Sequence, residues 1–165
     1  MNMGQNPDWI VALQSLGWDA AAKISVAAVL GAIIGLERVW RGHPAGLRTN
    51  LLIAISSCTF TVVSIEGFPL QGTAQDTARV AAQIVTGVGF LGAGAVLRSK
   101  GHVRGLTTAA SIWLVAALGM AVGTGLFFLA IFTTLLSIGL LILLRPLSRR
   151  LELQAEEQTE EDSDA

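Results

Sequence analysis

Glu37 is the one carboxylate that stands inside or at the end of an apolar segment on the side where the basic loops gather, and Arg38 follows it directly. A charge at that depth is costly in lipid, so it demands a partner and marks a candidate site. Arg38 is its neighbour in sequence, while Arg48 and Arg104 stand at the same membrane face. The competing role is an interfacial ion pair that merely fixes a loop. Glu37 is also a weak candidate for a metal ligand. Mg²⁺ favours octahedral oxygen coordination with one or two carboxylates, and no second carboxylate is expected within the apolar segments. Neither a bound metal nor a cofactor is expected.

A second set lies around the third apolar segment. Arg79, Gln83, Thr86, Phe90 and Gly94 share one face at helical spacing, and Asp76 precedes Arg79 by three positions. This stripe is expected to point into the bundle, toward the hydroxyls of the second segment, as a packing network or a ligand path. Thr49, Thr107 and Thr108 add hydroxyls beside Arg48 and Arg104. The two histidines, His43 and His102, each follow a glycine in a polar loop. They read as solvated side chains, with pH sensing as the alternative.

Gly87, Gly89, Gly92 and Gly94 match the GxGxxG phosphate-binding spacing. That motif requires a strand before it and an acidic residue about 20 positions after it. The next acidic residue after Gly94 is Glu152, and no strand or turn signal precedes Gly87. The glycines therefore read as sites of close helix approach, as do Gly31 and Gly35 at their G-x-x-x-G spacing. No nucleophile–base pair, metal cluster or phosphate loop is expected, which argues against an enzyme, and nothing points to nucleic acid.

Elements that could carry these residues follow from composition. The chain is 52% hydrophobic and 14% charged, with mean hydropathy +0.61. A soluble domain carries about 25% charged residues, so an integral membrane protein is expected. A core about 30 Å thick takes about 20 helical residues to cross. Residues 20–36, 49–65 and 80–97 supply three spans, and 105–144 holds no charge and must fold back into two more near Gly119, Gly123 and Gly125. Lys23, within the first span, is expected to snorkel outward. Residues 1–19 form an N-terminal interfacial segment, with a short helix over 7–18 and Trp9 and Trp18 at headgroup depth. Residues 20–145 form the five-helix membrane domain, and 146–165 an acidic tail of disordered character. Cys58 reads as a small buried hydrophobe.

Nine of the eleven basic residues fall in the loops after spans one and three and after span five. Basic loops stay in the cytoplasm, so the N-terminus is expected outside and the C-terminus inside. The first two of these loops also repeat. Arg41 to Thr49 and Lys100 to Thr108 share basic-G-H-x-x-G-L-x-T, fifty-nine positions apart. This implies two similar helical hairpins of one orientation, followed by an added fifth helix. Convergence of short loops on glycine and basic residues is the alternative.

The motifs Gly35-Leu36-Glu37-Arg38, Pro44-Ala45-Gly46-Leu47-Arg48-Thr49, Arg79 to Val85, Gly87 to Gly94 and Gly105 to Trp113 resemble those of the MgtC/SapB family of bacterial inner-membrane proteins. The resemblance implies a multi-pass protein tied to low-magnesium adaptation and, in pathogens, to survival inside phagocytes. It further implies a regulator of other membrane machinery, with the proton-driven ATP synthase among its partners. The best-known members carry a soluble ACT-like C-terminal domain where this sequence has a short acidic tail. Val39 stands where members often have a further acidic residue.

Two functions remain in competition. One is a membrane regulator whose partners are the lipid bilayer and other membrane proteins, a homo-oligomer included. The other is an ion transporter, coupled to Mg²⁺ or protons, using Glu37 and the polar faces of helices two and three. As a regulator, it would join Glu37 across the hairpins to Arg48 or Arg104 in one binding surface.

Overall fold

A computed structural model describes residues 8–67, 78–99, 102–144 and 146, with the side chains of residues 8–16, 78, 97–99 and 102–103 excepted. Five helices run in chain order: α1 (Asp8–Trp40), α2 (Leu47–Glu66), α3 (Ala78–Ala95), α4 (Leu106–Gly123) and α5 (Phe127–Leu143). Between α3 and α4 the basic connection is an antiparallel ribbon rather than an irregular loop. Its strands are β1 (Leu97–Ser99) and β2 (His102–Arg104), with Leu97 opposite Arg104.

The stretch 7–18 does not form a separate helix. α1 continues without a break from Asp8 to Trp40: no proline interrupts it there, and Gly17 and Asp19 are carried within the helix. The segments Gly17–Trp40, Leu47–Glu66 and Leu106–Gly123 are long and apolar enough to cross a membrane, while Arg79–Ala95 and Phe127–Leu143 are shorter apolar helices.

Two glycines end helices in the expected manner. At Gly42 (φ +71°) the His43 N–H donates to the Arg38 carbonyl at 3.0 Å and the Gly42 N–H to that of Val39 at 3.0 Å. Gly125 (φ +83°) repeats this pattern through Leu126 and Ala121 after α4. This is the Schellman closure, in which a left-handed residue satisfies the last carbonyls. The fold-back between α4 and α5 thus sits at Thr124–Leu126. Gly119 and Gly123, expected to mark it, lie inside α4 instead.

Those two glycines set the packing. A Cβ on Gly119 would strike the Ala54 carbonyl of α2, and one on Gly123 would stand 2.7 Å from the Thr61 Cβ. Gly35 meets Leu47 in the same way, and Gly31 meets Ala54 and Asn50. Helix α2 is therefore clamped closely on both flanks, antiparallel to α1 and parallel to α4. Ala27, Leu30 and Ile34 of α1, Ala54, Cys58 and Val62 of α2, and Val115, Leu118 and Val122 of α4 form the buried centre. Cys58 is fully buried, as its apolar surroundings imply.

α2 carries many hydroxyls, and two of them need no partner outside the helix. Thr59 and Thr61 donate back to the carbonyls of Ile55 and Ser57, each at 2.8 Å. Such bonds to the preceding turn satisfy a hydroxyl within its own helix, which lets a polar-looking segment lie among apolar helices. The repeat in the loops extends to the helix boundaries: α2 and α4 both begin directly after the repeated glycine, at Gly46 and Gly105.

Candidate functional site

Glu37 and Arg38 end α1 where the chain turns into α2. Helix C-termini favour cations, so Arg38 is well placed there and Glu37 is not. Glu37 is compensated locally. Arg41 Nε lies 3.0 Å from its Oε1 and Arg38 Nη1 lies 3.5 Å from its Oε2. Arg48 and Arg104 are exposed and neither pairs with Glu37 among the described residues. The pairing across hairpins is thus replaced by one within a single helix end. Four residues of helix bring Arg41 above Glu37, a closer partner than any residue on the neighbouring hairpin.

Arg38 is the largest of the fully buried side chains, at 1% exposure. Its Nε and Nη2, the Oε2 of Glu37 and the Oδ1 of Asn50 have no hydrogen-bond partner among the described residues. The contacts of Gly31 and Gly35 set Asn50 one to two turns below Arg38 on the facing helix. Asn50 itself donates through Nδ2 to the carbonyls of Ala45 and Gly46, both at 2.8 Å, and so closes the α1–α2 loop. Across the bundle, Thr108 and Ser111 of α4 are buried too, and the Ser111 hydroxyl donates to the Thr108 carbonyl at 2.8 Å. Glu37, Arg38, Asn50, Thr108 and Ser111 thus make a polar layer across three helices at the loop end of the core.

The other expected site residues divide by burial. Arg48, Thr49, Arg104 and Thr107 are exposed at the loop end, whereas Thr108 is buried. Asp76 lies outside the described residues. The stripe Arg79, Gln83, Thr86, Phe90 and Gly94 is exposed rather than turned inward. α3 leans on its neighbours through Ile84 and Val88, and Gly92 reaches Ala109 of α4. The stripe lies on another side of the helix. Only Gln83 approaches the α2 hydroxyls, across a groove of about 510 Å³ that Ser56 and Ser57 also line. Of the glycines expected to pack, Gly31 and Gly35 do so tightly and Gly92 loosely. A Cβ on Gly87, Gly89 or Gly94 would meet nothing within 4 Å.

Midway along α1, beside the end of α2, stands a second charge site that lies outside the expected pairings. Lys23 Nζ lies 2.6 Å from Asp19 Oδ2 and 2.9 Å from Glu66 Oε1, with only 13% of its side chain exposed. It is held between two helices and does not snorkel. Two carboxylates therefore do converge within the apolar helices, around a lysine. Two features of the sequence signal them: Asp19 stands one turn before Lys23, and Glu66 closes the antiparallel α2. Lys23→Met is expected to destabilise the protein by on the order of 1–2 kcal/mol, between the limits for exposed and buried pairs. A double-mutant cycle with Glu66→Leu, read by thermal melting, checks it. Additive effects would show that the pair contributes nothing.

Two ion-paired sites, one at the C-terminal end of α1 and one midway along it beside the end of α2, thus bracket a glycine-clamped core. Similar proteins share this stretch of sequence. A relative from Escherichia coli (strain K12), named "Putative magnesium transporter YhiD", is 43% identical over 133 residues, 78% of this chain and 62% of that protein. "Protein MgtC" of Brucella abortus (strain 2308) is 47% identical over 135 residues, 82% of this chain and 55% of that protein. "Protein MgtC" of Salmonella typhimurium (strain 14028s / SGSC 2262) is 44% identical over 125 residues, 76% of this chain and 52% of that protein. The chain thus spans little more than half the length of the relatives it matches. No solved structure matches it. The model of the MgtC family matches residues 24–150, which include α2 to α5 and both charge layers except Lys23 and Asp19. This chain belongs to the MgtC family.

Proposed function

We propose that this protein is a multi-pass regulator of the bacterial inner membrane, serving low-magnesium adaptation by acting on partner membrane proteins. In this reading all five helices cross the bilayer, with the N-terminus outside and the C-terminus in the cytoplasm. Segregation of the basic residues supports the orientation: Arg38, Arg41, Arg48 and Arg104 gather at one end of the helices, and Lys23 and Arg79 lie toward the other. At 1.5 Å per residue the shortest helices approach the roughly 30 Å of the hydrocarbon core. Exposed Arg48, Thr49, Arg104 and Thr107 offer the partner a basic, hydroxyl-bearing cytoplasmic surface. The ATP synthase is one partner that the family resemblance suggests.

The observation that carries this reading is the state of the carboxylates. Asp19, Glu37 and Glu66, whose side chains are described, are each held by a lysine or arginine of the same chain. A Mg²⁺ path instead needs carboxylates and water presented to the ion. The second reading, ion transport, draws on the name of the Escherichia coli relative and on one atom: Glu66 Oε2 is buried without a hydrogen-bond partner among the described residues. Flux in proteoliposomes decides between them. Purified protein of confirmed helicity is expected to give no Mg²⁺ or proton flux above empty liposomes. Flux that Glu66→Gln abolishes, in a variant of unchanged melting temperature, would make the protein a transporter.

A further inference from the structure

Positive charge outruns negative at the loop end of the bundle. Arg48 and Arg104 are exposed, and neither side chain makes an ion pair or hydrogen bond among the described residues. Beneath them the Arg38 guanidinium is buried with Nε and Nη2 unpartnered. Among the described residues Glu37 is the one carboxylate at this end, and Arg38 and Arg41 already share it. α2 and α4 also begin here, capped by Gly46 and Gly105 without a side-chain bond and with no acidic residue in either first turn. A helix start carries about half a positive charge and favours a carboxylate. The whole surface therefore calls for acidic groups from elsewhere.

The chain carries them itself. Seven of its twelve acidic residues fall between Glu152 and Asp164, a segment that holds no lysine or arginine. Like charges in such a run repel one another and favour an opposite surface. The segment lies outside the described residues, but its point of departure does not. α5 folds back along α4 after Gly125 and ends at Leu143, at the same end of the bundle as Gly46 and Gly105. The eight residues from Leu144 to Glu152 reach about 26–29 Å when extended. Neighbouring helices stand about 8–10 Å apart, so the run reaches the starts of both α2 and α4. Attachment holds it there at a concentration of about millimolar. Exposed pairs that are weak singly can then act together.

We propose that the acidic segment 152–164 covers the basic surface at the starts of α2 and α4, with Arg48 and Arg104 as its main contacts, and that a partner displaces it. The partner is then a membrane protein with an acidic segment of its own, because like charge competes for the same surface. The cover stands on the charges of this chain, whereas the class of partner rests on the regulatory reading above. The test pairs Thr107→Cys with Ser163→Cys in the full chain, oxidised in phosphatidylcholine nanodiscs, where Cys58 is buried and does not compete. An intramolecular disulfide is expected at about 0.01 M salt. It should fall at about 1 M, where the screening length shrinks from about 30 Å to about 3 Å. The fall should be roughly threefold to tenfold, the worth of two or three exposed pairs. Arg48→Gln with Arg104→Gln should lower the yield as much, and so should Glu160→Gln, Glu161→Gln and Asp162→Asn together. A yield indifferent to salt and to both sets of substitutions would overturn the cover. Loss of the disulfide when phosphatidylglycerol joins the lipid would overturn it too, since the bilayer would then be the occupant. A peptide of residues 152–164 at about 1 mM should compete with the attached segment. Failure of that competition, with the salt and charge effects intact, would overturn the acidic partner alone.

Discussion

Glu37→Gln is expected to lower the melting temperature by roughly 10 °C. Arg38 is almost wholly buried, and Glu37 is the carboxylate within reach of its guanidinium. Removing one member of a buried pair leaves an uncompensated charge, a loss of about 3–5 kcal/mol. At 2–4 °C per kcal/mol for a chain of this size, that gives the expected shift. Removing both charges together should cost far less, because paired burial often gains little over an apolar replacement of similar volume. The double variant Glu37→Gln with Arg38→Met should therefore recover most of the loss. Arg48→Glu and Arg104→Glu, whose side chains are exposed and unpaired with Glu37, should melt within about 1 °C of the parent. A Glu37→Gln protein that melts like the parent would show that Arg38 is neutralised by some other group. A large loss in Arg48→Glu would restore the pairing across hairpins.

Glu37 also shows what the linear sequence conveys and what it does not. That it needed a basic partner was legible, because charge at the end of an apolar segment has few alternatives. Which arginine supplied it was not. Arg41 wins by helix geometry over Arg48 and Arg104, which look equivalent when only membrane sides are compared. Lys23 was misplaced for a related reason. Snorkelling is the default for a lone lysine, and its inward turn toward Glu66 depends on the facing of α1 and α2. Membrane helices hide that information, since apolar residues cover all sides and the usual periodicity fades. The five helices and the basic loops needed no such knowledge of faces; α2 to α5 emerged with small boundary shifts, while α1 took in most of the stretch expected as a separate interfacial helix. Glycine was the ambiguous residue. Gly42 and Gly125 use its left-handed backbone at helix ends, while Gly119 and Gly123 use its missing side chain inside a helix. Nothing local separates the two uses when several glycines stand within one turn.

That distinction yields a prediction of opposite signs for one kind of substitution. Gly119→Ala is expected to destabilise the protein by about 1–3 kcal/mol, as overpacking of a tight core does, and Gly119→Val should abolish the folded species. The added carbon would meet the Ala54 carbonyl, the Ser57 Cβ at 2.9 Å and the Cys58 amide at 3.1 Å. Two of those three obstacles are backbone, so relief requires α4 to move away from α2 along its length. Because α1 is clamped to the other flank of α2, that movement would open the polar layer of Arg38, Asn50 and Thr108 as well. Gly139 in α5 meets nothing within 4 Å. Gly139→Ala should leave packing unchanged and stabilise by up to about 1 kcal/mol through helix propensity alone. Melting of the three purified variants in one detergent decides the matter. Equal behaviour of Gly119→Ala and Gly139→Ala would mean that α2 and α4 do not approach as closely as the fold requires. A loss at Gly119 beside a gain at Gly139 would place the stability of the bundle in the contact between those two backbones.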